Sequence, residues 1–285
     1  MVLPEEMVGT HNAADQPPVT PRDAATVMVV RDGTAGLEVF LLRRVVGMAF
    51  AGGMTVFPGG GVDPRDMDGT DAWAGPPPSW WAERLGAPEQ LATALVCAAV
   101  RETFEECGVL LAGIGPDRVI GDVTGFTLAR RAVERRDLSL AGFLDQAGLV
   151  LRADLLRPWA NWVTPEAEPR RYDTRFFLAE LPEGQWPDGA TSEADRSGWR
   201  RPAEAIDDWR AGRSGLLPPT WTTLAELAEF DTVASAMAAT RTIDKVVPKV
   251  IREGSVLRVV LPGDPRWETA STHLDAGPGD ELAHP

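Results

Sequence analysis

Cysteine, lysine and histidine are scarce in this chain, and each scarcity removes a class of function. Among 285 residues the cysteines are Cys97 and Cys107. They sit ten residues apart in one predicted helix, about 15 Å at 1.5 Å per residue, so they cannot bond to each other. A reducing cytoplasm is the expected compartment. The three histidines, His11, His273 and His284, lie toward the ends of the chain, which excludes histidine-based nucleophilic catalysis. The lysines are Lys245 and Lys249, and the other basic side chains are arginine. With abundant Ala and Gly this reads as coding bias, so arginine number by itself says little about function. No apolar run approaches the roughly 20 residues of a membrane span. Glu5 and Glu6 stand where an export signal would be basic and then apolar, and Leu282-Ala283-His284-Pro285 spells no retention or peroxisomal address. The net charge of -14 argues against a general nucleic-acid or anionic-membrane binder. A polyanionic substrate stays open, because a local metal and arginine site overrides the global field.

What is present is an ordinary globular composition, 44% apolar and 25% charged. Residues 1–22 are polar and Pro-rich and are expected as a tail, as is the polar stretch 266–285. One domain is expected over 23–265. Ala24 to Val30 and Leu37 to Arg43 read as a hairpin across Asp32-Gly33-Thr34-Ala35-Gly36. A Gly-rich loop, Gly47 to Gly53, leads to Met54-Thr55-Val56-Phe57 and Pro58-Gly59-Gly60-Gly61. Between about 67 and 90 the pattern breaks into an inserted lobe with Trp73, Trp80 and Trp81 as anchors and a short helix around Trp80 to Leu85. Pro88 is expected to open the next helix and Gly108 to cap it. Further on, helices are expected over 127–136 and 139–147, and strands over 155–164, 172–181 and 198–200. Pro202 opens another helix, Pro218-Pro219-Thr220 leads into a last long helix with Leu224, Leu227 and Ala228 inward, and 245–261 reads as one or two edge strands.

The densest chemistry lies in Arg101-Glu102-Thr103-Phe104-Glu105-Glu106-Cys107-Gly108-Val109. On a helix, Glu102, Glu105 and Glu106 fall within an arc of roughly 100°. Val96, Val100, Thr103 and Cys107 form a stripe nearly opposite. One face can therefore enter a core while the other presents three carboxylates. Such like charges repel on an isolated helix, and a divalent cation relieves them, since clustered carboxylate oxygens suit Mg²⁺ or Mn²⁺. Taken alone, the same pattern also describes a solvated acidic face.

This stretch resembles the second half of the Nudix hydrolase box, G-x5-E-x7-R-E-U-x-E-E-x-G-U, where U is a bulky apolar residue. Every charged and glycine position matches, with Thr103 at an apolar one. The first half matches at Gly60, and Asp66 stands where the family has Glu. Between Asp66 and Arg101 lie 34 residues rather than the pattern's 7, an insertion of 27, so the box is split. The resemblance implies an α/β/α sandwich with a curved mixed sheet, and Mg²⁺- or Mn²⁺-dependent hydrolysis of a nucleoside diphosphate linkage. Glu105 and Glu106 would hold the metal, and Glu102 would be a third ligand or the group that deprotonates water. The Gly59 carbonyl would be a further ligand, and Arg101 an internal ion pair holding loop and carboxylates together. Homodimers are common in the family.

Leu41, Arg44, Gly53 and Phe57 to Gly60 also match part of the upstream motif of coenzyme A diphosphatases, from which Leu42, Val45 and Ala49 depart. Together with the insertion, Trp162-Val163-Thr164-Pro165 and Arg171-Tyr172-Asp173-Thr174, the chain looks similar to the branch typified by the mammalian peroxisomal coenzyme A diphosphatase. A CoA-type dinucleotide is the leading substrate. NADH, ADP-ribose, a nucleotide sugar or a dinucleoside polyphosphate are alternatives, and a non-catalytic Nudix-fold ligand-binding protein is an alternative of another class. Several residues carry two readings. Glu193 is either an auxiliary catalytic carboxylate or a solvated loop acid. Arg44, Arg170, Arg171 and Arg175 meet substrate phosphates or make structural salt bridges. Trp159, Trp162 and Tyr172 stack on an adenine or fill the core.

Overall fold

The computed structural model of the chain describes residues 2–3, 18–48, 51–166, 168–253 and 256–270. In chain order the strands are β1 (Val2–Leu3), β2 (Arg22–Gly33), β3 (Gly36–Arg44), β4 (Met54–Val56), β5 (Gly59–Gly61), β6 (Trp73–Ala74), β7 (Ala112–Gly113), β8 (Val150–Arg152), β9 (Leu156–Val163), β10 (Tyr172–Glu180), β11 (Ala194–Arg200), β12 (Gly215–Leu216), β13 (Lys245–Val246), β14 (Lys249–Glu253) and β15 (Val256–Val260). The α-helices are α1 (Pro78–Leu85), α2 (Glu89–Cys107), α3 (Thr127–Glu134), α4 (Leu140–Ala147), α5 (Pro202–Arg210), α6 (Pro218–Leu227) and α7 (Val233–Ala238). Two compact units result, one of Met1–Arg22, Asn161–Asp173 and Asp244–Pro285, the other of Asp23–Ala160 and Thr174–Ile243. Among the described residues no helix is long and apolar enough to cross a membrane.

The larger unit is built on strands ordered β12-β4-β3-β2-β10-β9, with β11 also on β3 and β5 also on β2. β12 runs parallel to β4, while β2–β3, β3–β4 and β3–β11 are antiparallel. This mixed sheet with packed helices is the expected α/β/α sandwich. Val27, Met28, Val29 and Val30 are all fully buried, as a strand covered on both faces requires. Alternate residues of β2, namely Ala25, Val27 and Val29, join α2, α4 and Phe177 in the main core. Phe104 of α2 stacks on Phe143 of α4, with ring centroids 5.3 Å apart.

The inserted residues are part of that core. β6 pairs with β8, α1 packs on α2, and the Trp81 ring is fully buried 5.9 Å from Phe177. The insertion is thus a structural layer on the acidic helix. Elsewhere the sequence boundaries shift. α3 stops at Glu134 because Arg136 takes φ 63, a left-handed conformation that ends a helix. β11 begins at Ala194 rather than 198, since its outer residues gain partners only by pairing with β3. Ala228 is exposed beyond the end of α6, and α7 follows it.

In the smaller unit β1, β15 and β14 form a three-stranded sheet, and β13 pairs in parallel with Asn161 and Trp162. The 245–261 stretch therefore holds three strands. Val2 and Leu3, within the stretch expected as a tail, pair with Arg258 and Leu257. Residues 4–17 and 271–285 lie outside the described residues, as does Ala49.

Truncating Trp81 tests the core role of the insertion. Trp81→Ala should cost about 3–5 kcal/mol, as for other buried aromatic truncations, measured by denaturant unfolding. A change within about 0.5 kcal/mol, the range of surface positions, would mean that the insertion is a detachable lobe.

Candidate functional site

α2 starts one residue later than expected, with Pro88 in the capping position and no side-chain cap there. Its C-terminus behaves as read: Gly108 has φ 72 and its N–H donates to Phe104 O. Of the two readings of the acidic face, the solvated one does not hold, because α2 is enclosed on that side as well. Glu102 and Glu106 are buried, with exposures of 9% and 5%. What covers them is the glycine strand β5, which pairs Gly59, Gly60 and Gly61 with Thr26, Ala25 and Ala24 of β2. A Cβ on Gly60 would collide with the Glu102 carboxylate, so the bare glycine backbone gives that carboxylate room beside the strand.

Arg101 closes the split box. Its Nε donates to Asp66 Oδ1 and Oδ2 at 3.1 and 3.2 Å, and its Nη2 to Asp66 Oδ2 at 3.0 Å and to Gly61 O at 2.8 Å. Nη1 donates to Glu102 Oε1 at 2.7 Å and to Glu105 Oε1 at 3.1 Å. Glu106 Oε2 accepts from Gly59 N at 2.9 Å. Asp66 itself is fixed in a 3-10 turn, Pro64–Asp68. There its side chain accepts from Asp63 N while the Asp63 side chain accepts from the Asp66 backbone, a reciprocal capping box, and Asp63 also accepts from Arg65 N. Asp63-Pro64-Arg65-Asp66 carried that signal in the sequence, as an acidic cap followed by Pro and a second acid three residues on.

Asp66, Glu102 and Glu105 thus share one guanidinium, while Glu106 has only a backbone amide among these contacts. The electrostatics follow. Burial pushes Glu102 up to about 7, against the pull of Arg101 and with help from Glu105. Burial raises Glu105, with Arg101 opposing. Burial and then the Glu102 charge raise Glu106 well above the usual carboxylate range. Among the described residues no three His, Cys, Asp or Glu side chains are grouped in metal-ligating geometry. The residues nonetheless fit a hard divalent cation. All the donors are oxygen, and their negative charge is buried in excess of its local compensation.

The other expected residues divide. Arg44 and Glu193 come together, Nη2 to Oε2 at 2.9 Å, and the charges of both reach Glu106. Arg44 Nε is buried without an acceptor. Arg175 is buried, 3.8 Å from Asp23 and 3.5 Å from Leu85 O. Arg171, in the smaller unit, donates to Thr164 O and Val19 O at 3.0 and 2.8 Å. Arg170 is exposed in the same unit. Trp159 is core, donating to Glu226 at 2.7 Å under the Arg241 guanidinium. Trp162 is buried and Tyr172 half-buried. Sequence reasoning missed Gln185, Asp188 and Arg130. Their partners lie 25 to 75 residues away, and no local pattern marks them.

Two measurements test this electrostatic account. Arg101→Ala should destabilise the fold by about 3–5 kcal/mol, because it strands buried charge. The carboxylates also hold protons longer in the folded, metal-free protein than in the unfolded chain. Stability is therefore full below the ordinary value near 4.5 and is lost as pH rises toward 7. In chelator, Tm should be lower at pH 8 than at pH 5.5, and Mg²⁺ should narrow the gap. A Tm that rises across that interval would refute it.

With the geometry in place, comparison with known proteins identifies the family. Residues 81–227, just over half of the chain, match the family model described as the NUDT19 Nudix domain. A putative nudix hydrolase 7 of Caenorhabditis elegans is 30% identical over 208 residues, and the match covers 73% of this chain and 61% of that protein. The acyl-coenzyme A diphosphatase NUDT19 of Gallus gallus is 27% identical over 277 residues, covering 81% of this chain and 73% of that protein. The crystal structure of a NUDIX hydrolase from Alicyclobacillus acidocaldarius matches with a TM-score of 0.68 and 28% identity, over 79% of this chain and 98% of that one. By the extent of the matching family model, the chain belongs to the NUDT19 Nudix domain family.

Proposed function

We propose that this chain is a divalent-cation-dependent diphosphatase that hydrolyses the diphosphate linkage of coenzyme A or an acyl-CoA. The observation that carries the chemistry is the meeting of Glu102, Glu105 and Glu106 with the Gly59–Gly61 strand around Arg101. The substrate follows from the relatives, among them the NUDT19 acyl-coenzyme A diphosphatases of Gallus gallus and Homo sapiens.

Bound Mg²⁺ or Mn²⁺ supplies Lewis acidity toward the phosphoryl oxygens. Glu105, Glu106 and the Gly59 carbonyl would hold it. Glu102 would accept a proton from the attacking water or serve as a third ligand. Arg101 keeps the carboxylates in register with the glycine strand. The buried Arg44 Nε, which lacks an acceptor, supports a role for this guanidinium in binding a phosphate oxygen. Glu193 is the auxiliary carboxylate, held at Arg44 until substrate arrives.

Glu105→Gln and Glu106→Gln should each lower kcat by at least ~100-fold with the fold intact, since even outer-shell changes at metal sites cost 10–100-fold. EDTA should abolish turnover in the parent protein. Unchanged turnover in either variant defeats the mechanism. A panel of CoA, acyl-CoA, NADH, ADP-ribose, a nucleotide sugar and diadenosine polyphosphates, assayed with Mg²⁺ and Mn²⁺, decides the substrate. Preference for NADH or ADP-ribose over CoA removes the coenzyme A assignment and leaves the diphosphatase one.

A further inference from the structure

The C-terminal turn of α2 carries an electrostatic load that Arg101 of the same helix meets only in part, through Glu105 Oε1. Glu105 and Glu106 lie where the helix dipole is already negative, no basic residue occupies the last turn, and beyond Phe104 O, which takes the Gly108 amide, the final carbonyls lie past the helix's own donors. Two groups from distant parts of the chain meet that end. Arg130 of α3 donates from Nε to Glu105 O at 3.1 Å. The Asp188 amide donates to Cys107 O at 2.9 Å. These two residues are also joined to each other by a bidentate ion pair, Nη1 to Oδ2 at 2.9 Å and Nη2 to Oδ1 at 2.8 Å.

The segment that carries Asp188 leads to the carboxylate cluster. Three residues earlier, the buried Gln185 clasps the amide and carbonyl of Leu110 at 2.8 and 2.9 Å. Asp188 Oδ1 accepts from Ala190 N at 3.0 Å, which shapes the turn that follows. Five residues on comes Glu193. Its side chain holds Arg44, its carbonyl accepts from Val45 N at 2.9 Å, and its charge reaches Glu102 and Glu106. The segment is fixed to the end of the acidic helix on one side and delivers an acid to its carboxylates on the other.

Building on the diphosphatase reading, we propose that Arg130 and Asp188 are positioning residues, whose ion pair ties the end of α2 to the 185–193 segment and so sets where Glu193 stands relative to Glu105 and Glu106. Neither is catalytic: among its hydrogen bonds Arg130 reaches Glu105 only at its carbonyl. An isolated pair at the surface would be worth little. This one is bidentate, and each partner has a second, separate bond to an α2 carbonyl, so the pair joins two groups already docked on the helix end, and its loss would loosen the turn that leads from Asp188 to Glu193.

The test is a double-mutant cycle on the full chain with CoA and Mn²⁺, combined with amide hydrogen exchange at Val45. Asp188→Asn should lower kcat about tenfold while KM stays within about twofold, the signature of a misplaced group. In a Glu193→Gln background it should cost nothing further, because both changes act through one residue. Exchange at Val45, whose N–H bonds to Glu193 O, should speed up in Asp188→Asn without any substrate present. Arg130→Lys should recover part of what Arg130→Gln loses. Equal losses in the two backgrounds, unaltered exchange at Val45, or a Glu193→Gln variant with parental kcat would each overturn the proposal. A parent protein inactive on every diphosphate would instead overturn the diphosphatase reading, and Val45 exchange would still decide the positioning claim on its own.

Discussion

Arg101 sits in the interior with hydrogen bonds to Asp66, Glu102, Glu105 and the Gly61 carbonyl, and the geometry of the site depends on this one guanidinium. Burial works against its charge, but the surrounding carboxylates more than offset that cost and hold it protonated. The planar fork matters as much as the charge. One edge faces the 3-10 turn, one corner meets the glycine strand, and the remaining nitrogen holds two side chains of its own helix. A lysine would offer a point charge without those separate directions. The loop and helix halves of the site, 35 residues apart between Asp66 and Arg101, are joined through this side chain rather than through contiguous backbone.

The intervening segment shows how a motif can be interrupted in sequence and still close into one unit in the fold. Chain length costs little entropy once the ends of a loop are fixed, and here the added residues return part of that cost by burying Trp81 and Leu85 against α2. α1 covers one side of the acidic helix, β5 another and α3 a third. The carboxylates are therefore enclosed on several sides by elements far apart in sequence. Enclosure raises the cost of their charge, and that cost is what a bound cation would relieve.

Local features were legible in the sequence where local physics decides them. The hairpin across Thr34 and Ala35, the left-handed cap at Gly108, and the prolines opening α5 and α6 follow from turn and capping chemistry. So does the carboxylate cluster, because helical spacing alone places Glu102, Glu105 and Glu106 together. Its environment was not legible. Periodicity alone left a solvated acidic face of α2 open, and β5 and the Arg101 network enclose it, since tertiary pairing decides what covers a helix. The same limit applies to Arg171 and Arg175. Their residue type suits phosphate, but the backbone carbonyls they meet, Val19 O and Leu85 O, lie 152 and 90 residues away in sequence. β11 lengthened for a similar reason, because its polar outer residues carry little strand signal until β3 supplies partners.

The scarce cysteines acquire a use from where the fold puts them. Cys97 and Cys107 are both buried on α2, and burial pushes each thiol up to about 12. Cys107 also donates to Thr103 O at 3.1 Å. A thiol held this far above neutrality carries almost no thiolate and is a poor nucleophile. In the native protein an alkylating reagent therefore finds little to attack, while any opening of α2 exposes both sulfurs at once. The chain carries two native reporters on the helix that bears the carboxylates, and their labelling rate measures how often that helix leaves its place.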